Sequence, residues 1–291
     1  MATIETFPVS LLSTTSKERV IVNDLVSLVN SANYITKEHA DRVIVCGSHG
    51  GVYCAAKAVY YQVRGVILHD AGFCLDNAGV AVLEYCQPSL LPAAVVDSDT
   101  AFIGNVEHTY ANGIISACNA EAERLGVTPG MKCADAAELL VAASPKWQPV
   151  ALVAEYRHEH ALEEGWEKIV CIDSASLIQP EDEGRIVVTG SHGGLIGGNP
   201  AKAINVPARF AAFNDAGFGF DNAGAGRLEP LDARGIAAVL VAAASARIGD
   251  GQSTLFDGVI SAVNRRAAEQ GFAVGVPLRR ALHAWQEKSS S

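Results

Sequence analysis

GSHGG at residues 47–51 returns unchanged at residues 190–194, and DAGFCLDNAG at 70–79 returns as DAGFGFDNAG at 215–224. A later pair also matches, since NGIISACNAEAERLG at 112–126 corresponds to DGVISAVNRRAAEQG at 257–271. The offset is 143 positions at GSHGG and 145 positions afterwards, which places one small insertion near 197–200. The same motifs therefore occur twice in the same order, which predicts a tandem duplication.

The length of the repeat indicates two units of domain size. An offset of 145 residues is far longer than the roughly 20–50 residues of solenoid repeats and is close to the size of a domain. Continuous apolar runs such as RVIVCG (42–47) and RIVVTG (185–190) are typical of strands buried on both faces of a parallel sheet. We predict an α/β fold that is internally duplicated, with two pseudo-equivalent, mainly parallel-sheet units related by a pseudo-two-fold axis.

The predicted boundaries are 1–145 for the first α/β repeat, 146–167 for a linker and 168–291 for the second repeat. The linker prediction rests on a charge-rich segment that carries two of the three tryptophans. The segment GVYCAAKAVYYQ (51–62) and its partner in the second repeat predict connecting helices. The segments 112–126 and 257–271 predict amphipathic helices.

Composition limits the classes of partner. The net charge of −10 and the lack of a basic stripe argue against nucleic acid, because phosphate binding uses clustered Lys and Arg. No apolar run reaches the roughly 18 residues of a membrane span. The N-terminal MATIETFPVSLL lacks the basic flank and long apolar stretch of a signal peptide, so we expect a cytoplasmic protein. The expected partners are a small-molecule substrate and further copies of the chain in a homo-oligomer, with no nucleic acid and no membrane.

Cofactor motifs do not stand out in the sequence. The seven cysteines show no CxxC spacing and six lie in the first repeat, so we expect reduced, buried thiols. GSHGG lacks the Lys-Ser/Thr ending of a phosphate loop and the GxGxxG pattern of a dinucleotide site. Each repeat offers one paired His and two paired Asp without a His-rich metal motif. We expect no cofactor and no metal.

The repeated polar motifs predict one site. If the strands are parallel, GSHGG and DAGF follow their carboxyl ends and gather at one edge of each sheet. GSHGG adds a hydroxyl, an imidazole and backbone N–H groups suited to an oxyanion. The candidate catalytic residues are Ser48, His49, Asp70, Ser191, His192 and Asp215, with the aspartates orienting the histidines. A structural role remains open, with glycine for the turn, Ser as a helix cap and His as a hydrogen-bonded filler.

A second group of residues is expected to bind the substrate. Arg247 and Asp250 replace Phe102 and Asn105 of the first repeat, which favours more chemistry in the second repeat. Cys74 follows Asp70 and offers a possible nucleophile for His49, although its counterpart is glycine. The candidates are Gly50, Gly51, Gly193, Gly194, Asn214, Arg247, Asp250 and Cys74.

Two resemblances are too short or too general to assign a function. The Ser-His-Gly strand end followed by a loop cysteine resembles the His and Cys blocks of caspase-like peptidases over about 30 residues. The 25 positions between His49 and Cys74 are about half the caspase spacing, and the QACxG-type signature is absent. The repeated α/β architecture with Ser and Lys in each repeat resembles cyclic-amide hydrolases of the barbiturase type, whose motifs are not matched here.

These residues favour a hydrolase that cleaves a C–N bond in a small polar amide-like or cyclic substrate. Two alternatives remain open at this point. One is a non-catalytic protein that binds a small molecule or anion in the same loops. The other is an isomerase or lyase in which His and Asp transfer protons.

Overall fold

The computed structural model describes residues 13–16, 19–21 and 24–290, which form two sheets flanked by helices. Strands β3 to β6 of the first sheet are parallel, and the outer strands pair antiparallel. In spatial order this sheet contains β1 (Ser13–Ser16), β2 (Arg19–Ile21), β3 (Val26–Val29), β4 (Val43–His49), β5 (Gly65–His69), β6 (Ala93–Val96) and β7 (Ile115–Cys118).

The second sheet follows the same plan. It contains β8 (Arg157–His160), β9 (Ile169–Ile172), β10 (Ile186–His192), β11 (Phe210–Asn214), β12 (Ala237–Val241) and β13 (Ile260–Val263) in that spatial order. Strands β9 to β12 are parallel, whereas β8 and β13 pair antiparallel. The predicted α/β class with two mainly parallel sheets is therefore confirmed. The segment predicted as a linker contributes β8 to the second sheet.

Helices cover both faces of the sheets. They are α1 (Val52–Tyr60), α2 (Val82–Tyr85), α3 (Val106–Asn112), α4 (Ala120–Arg124), α5 (Cys133–Leu140), α6 (Leu228–Ala233), α7 (Gly251–Phe256), α8 (Arg265–Glu269) and α9 (Leu278–Ser290). On β4, Ile44 and Cys46 belong to the buried cluster that includes α1 residues, and Val43 and Val45 to the cluster that includes α5 residues. Strand residues are thus buried on both faces, as continuous apolar runs predict.

The amphipathic helices predicted over 112–126 and 257–271 are wrong. Each segment instead forms an antiparallel strand, β7 or β13, followed by the short helix α4 or α8. The side chain of Asn119 accepts a hydrogen bond from the backbone N–H of Ala122, and Asn264 does the same for Ala267. Each asparagine therefore starts a short helix at the end of a strand, and the residues that precede it in the segment pair in the sheet.

The helix predicted as the partner of α1 is also replaced. After GSHGG the second half forms two short 3₁₀ turns, Ile196–Gly198 and Pro200–Lys202. Gly197 and Gly198 have φ of 60° and 64°, and Pro200 lacks an N–H group. The insertion therefore introduces residues that interrupt an α-helix. Among the described residues, no helix is long and apolar enough to cross a membrane.

The two halves meet at their DAGF turns. A Cβ atom on Gly72 would lie 2.9 Å from Cα of Gly217, the residue at the corresponding position of the other half. A small apolar cluster surrounds this contact and contains Ala71, Cys74, Ile103, Ala216, Ala243 and Ile248. Corresponding residues of the two halves therefore contribute to one interface.

The DAGF turns have an uncommon backbone. Residues 71–74 have φ of 52°, 66°, 63° and 63°, and residues 216–219 have φ of 49°, 75°, 60° and 65°. Each non-glycine residue in this region costs roughly 1–2 kcal/mol, so surrounding contacts must hold the turn. A Cβ on Gly79 would lie 2.2 Å from the carbonyl oxygen of Asp70, and one on Gly224 would lie 1.9 Å from that of Asp215. Backbone geometry therefore accounts for much of the identity between these motifs.

Candidate functional site

A cavity of about 390 Å³ lies between the Ser-His ends of β4 and β10. Ser48 and His49 contribute to its wall from the first half, and Ser191 and His192 from the second. The structure therefore brings four of the six predicted catalytic residues together in one cavity shared by both halves. This cavity is the candidate functional site.

Matching bulges position the two Ser-His pairs. The pairing of β4 with β5 shifts between Val45 and His49, and that of β10 with β11 shifts between Val188 and His192. Ser and His are thus the last residues of each strand rather than part of a separate loop. A bulge changes the direction of the side chains that follow it. The two strands consequently present corresponding residues to the cavity.

The two serine hydroxyls have equivalent backbone partners. Ser48 Oγ accepts a hydrogen bond of 2.9 Å from Ala32 N, and Ser191 Oγ accepts one of 2.9 Å from Ala175 N. Each hydroxyl therefore retains a proton that it can donate. Ser48 is buried, and its backbone N–H donates to Sγ of Cys46 at 3.4 Å, whereas Ser191 is partly exposed.

Both histidines are held as neutral hydrogen-bond donors. Nδ1 of His49 accepts a hydrogen bond of 3.1 Å from Gly51 N, and Nδ1 of His192 accepts one of 3.1 Å from Gly194 N. A ring nitrogen that accepts carries no proton, so the proton lies on Nε2. Burial, with a contribution from His69, lowers the pKa of His49 to about 4. Burial, followed by the charges of Arg227 and neighbouring histidines, places the pKa of His192 well below its usual value.

Each imidazole lies against the other half of the chain. A Cβ on Gly249 would lie 3.2 Å from Cε1 of His49, and one on Gly104 would lie 3.3 Å from Cε1 of His192. These glycines occupy corresponding positions in the two halves, in the Ile-Gly pairs at 103–104 and 248–249. The close approach to a ring favours a residue without a side chain at both positions.

The glycine amides of GSHGG are already engaged. Gly50 N donates to the carbonyl oxygen of His69 at 2.9 Å, and Gly193 N donates to that of Asn214 at 2.8 Å. Gly51 N and Gly194 N donate to the histidines. The expectation that these amides form an oxyanion site is therefore corrected. The remaining donors at this position are the Nε2–H groups and the serine hydroxyls.

The two aspartates hold the DAGF turns. Asp70 Oδ1 accepts hydrogen bonds of 3.0 Å from Gly72 N and from Ser98 N, and Oδ2 accepts one of 2.8 Å from Ser116 Oγ. Asp215 Oδ1 likewise accepts from Gly217 N and Ala243 N, both at 2.9 Å. The expected orientation of the histidines by these aspartates is therefore corrected, because backbone N–H groups bind both Nδ1 atoms.

Four other predicted residues lie outside the wall of this cavity. Asn214 is fully buried and bonds Ala216 N and the carbonyl of Ala246. Cys74 is buried in the interface, where burial raises its thiol pKa to about 12. Arg247 pairs with Asp76, and Asp250 caps α7 through Ser253 N.

Glu155 is a site residue that the sequence interpretation missed. It lies in the wall of the cavity, close to Lys57 and Asp173. Burial raises its pKa to about 7, despite hydrogen bonds from Ser174 and Tyr53 that favour the charged form. A carboxyl group with this pKa exchanges a proton near neutral pH. The signal available in the sequence was weak, because Glu155 lies in an irregular segment assigned to the linker.

Arg227 is a second missed residue. It is only 4% exposed, lies in the cavity wall, and its guanidinium contacts the Phe213 ring. Nε donates to the carbonyl oxygens of His192 and Gly194 at 3.1 Å each, and Nη1 donates to two further carbonyls. In the described part of the chain, no carboxylate pairs with this cation. Burial lowers its pKa to about 10, so it remains charged at neutral pH.

Among residues 13–16, 19–21 and 24–290, no group of three or more His, Cys, Asp or Glu side chains could hold a metal ion. No protein-family model matches the chain, and comparisons with curated proteins and with solved structures found no significant similarity. The cavity is therefore the feature of the molecule that bears on its function.

Proposed function

We propose that the protein is a hydrolase that cleaves a C–N bond in a small polar amide-like or cyclic substrate bound between the two Ser-His strand ends. The observation that carries this proposal is Glu155, whose carboxyl pKa of about 7 occurs in a cavity that also holds two neutral imidazoles and two serine hydroxyls. A pKa near neutrality suits a group that both accepts and returns a proton.

The proposed reaction uses Glu155 for proton transfer and the two histidines for charge stabilisation. Ionised Glu155 takes a proton from a water molecule as the water oxygen forms a bond to the substrate carbonyl carbon. The Nε2–H groups of His49 and His192 stabilise the negative charge that develops on the carbonyl oxygen. Protonated Glu155 then gives its proton to the leaving nitrogen as the C–N bond breaks, which restores the carboxylate.

The low pKa values of the histidines favour this assignment of roles. An imidazole with a pKa of about 4, as for His49, is a weak base at neutral pH. Proton transfer by His, as in an isomerase or lyase, is accordingly less favoured than proton transfer by Glu155. Substitution of Glu155 should therefore greatly lower turnover without abolishing substrate binding, which distinguishes an enzyme from a non-catalytic binding protein.

The experiment is a screen of small linear and cyclic amides for release of ammonia or amine by the purified full chain. Glu155→Gln should lower kcat by about 10²–10⁴, the usual contribution of acid–base catalysis. Glu164→Gln, at an exposed position of the same segment, is the matched control and should retain full turnover. Binding of amides without turnover in the wild type would favour the non-catalytic alternative, and full turnover by Glu155→Gln would refute the proposed role.

We also propose that the two halves arose by duplication and are related by a pseudo-two-fold axis near Gly72 and Gly217. The order of β8–β13 matches that of β2–β7, and this match and the equivalent hydrogen bonds of Ser48 and Ser191 support this interpretation. Homo-oligomerisation and a cytoplasmic location stay predictions. Residues 1–12, on which the predicted location partly rests, lie outside the described residues.

A further inference from the structure

The charges in the cavity wall are separated between two ends. His49, Tyr53, Glu155 and Asp173 also line an adjoining cavity of about 480 Å³, so they lie on the side where the two cavities meet. Arg227 and Lys202 line only the first cavity. The first cavity therefore has an acidic end, where it adjoins the second cavity. Its cationic end lies beside the two short 3₁₀ turns that follow GSHGG in the second half.

The cationic end contains Arg227, a hydrogen-bond donor that the surrounding backbone holds in place. Arg227 is almost completely buried, and its Nε and Nη1 atoms are occupied by backbone carbonyl oxygens. Its Nη2 atom has no hydrogen-bond acceptor within the described residues. Carbonyl dipoles do not neutralise a guanidinium, and a buried charge without a counterion is unfavourable. A carboxylate oxygen can accept a charge-assisted hydrogen bond from the remaining Nη2–H group and supplies the missing negative charge.

We infer that the substrate carries a carboxylate that binds Arg227, with its scissile amide directed toward Glu155. The inference rests on the proposed hydrolase function and names its substrate class as small amides that bear a carboxylate. Specificity then comes from the second half of the chain, because the position corresponding to Arg227 in the first half is Val82. Val82 packs in the apolar cluster beside α1 and offers no charge.

The test compares succinate with succinamide, its neutral diamide, by isothermal titration calorimetry on the purified full chain. The wild type should bind succinate at least tenfold more tightly than succinamide, and Arg227→Gln should abolish the difference. Arg234→Gln is the matched control, since Arg234 also donates to backbone carbonyls, those of Ile204 and Val206, but does not line the cavity. This control should retain the preference for succinate.

Arg227 also supports the turns around residue 202, so Arg227→Gln can fail to fold. In that case the test uses NMR on the wild type. Succinate should shift the resonance of the Arg227 Nε–H group, and succinamide should not. Equal binding of the two compounds by the wild type, or a preference that survives in folded Arg227→Gln, would overturn the inference. Glu155→Gln should still prefer succinate, so a failure of the hydrolase proposal is distinguishable from a failure of this one.

Discussion

Substitution of Gly193 by alanine tests whether GSHGG supports the sheet or supplies an oxyanion site. A Cβ atom there would lie 2.3 Å from the carbonyl oxygen of Gly224 and 2.5 Å from Cδ2 of Leu240. Overpacking of this kind costs about 1–3 kcal/mol. Displacement would also break the hydrogen bond from Gly193 N to Asn214, worth about 1 kcal/mol. We expect a total loss of about 2–4 kcal/mol in the free energy of unfolding.

The assay is equilibrium urea unfolding followed by circular dichroism. Gly198→Ala is the control, because its φ of 64° is left-handed but nothing lies within 4 Å of the added carbon. That substitution should cost only about 1–2 kcal/mol. If Gly193→Ala is as stable as the wild type but loses turnover, the structural explanation of GSHGG is wrong and an oxyanion role is favoured.

Three further predictions concern neighbouring groups. Asp70→Ala should lower the free energy of unfolding by about 2–4 kcal/mol in urea, since it leaves the buried Ser98 N–H without its acceptor and removes the hydrogen bonds from Gly72 N and Ser116 Oγ, and a loss below about 1 kcal/mol would contradict this. Cys74 should react slowly with iodoacetamide at pH 7.5, because burial raises its pKa to about 12; rapid labelling seen by mass spectrometry would contradict its burial. Because the folded state raises the pKa of Glu155 from 4.5 to about 7, its contribution to the free energy of unfolding should be lost as pH rises across that interval. Glu155→Gln should flatten this part of the pH profile, and identical urea midpoints for variant and wild type at both pH 5 and pH 8 would refute the assignment.

The sequence predicted the parallel strands and the Ser-His positions because both depend on local pattern. Long apolar runs require burial on both faces, and the motifs follow those runs at the carboxyl ends of β4 and β10. The helix predictions failed where competing local signals were present. Asn119 starts its helix only after β7, and Gly197 and Pro200 interrupt the expected second connecting helix.

The chemistry of the site was harder to predict because it depends on contacts distant in sequence. The matching motifs draw attention to residues that occur in both halves, and these include Asp70 and Asp215, whose carboxylates hold backbone turns. The same comparison hides Arg227, whose counterpart is Val82. Glu155 becomes prominent only when burial beside Ser174 and Tyr53 raises its pKa.

The pH dependence of kcat/KM is the most direct test of Glu155 as the catalytic base. With an amide substrate identified by the screen, the wild-type rate should fall as pH decreases through about 7, because protonation of Glu155 removes the base. Glu155→Gln should lose this inflection together with most of its activity, whereas Glu164→Gln should retain both. An inflection near pH 7 that persists in Glu155→Gln at full rate would contradict the account.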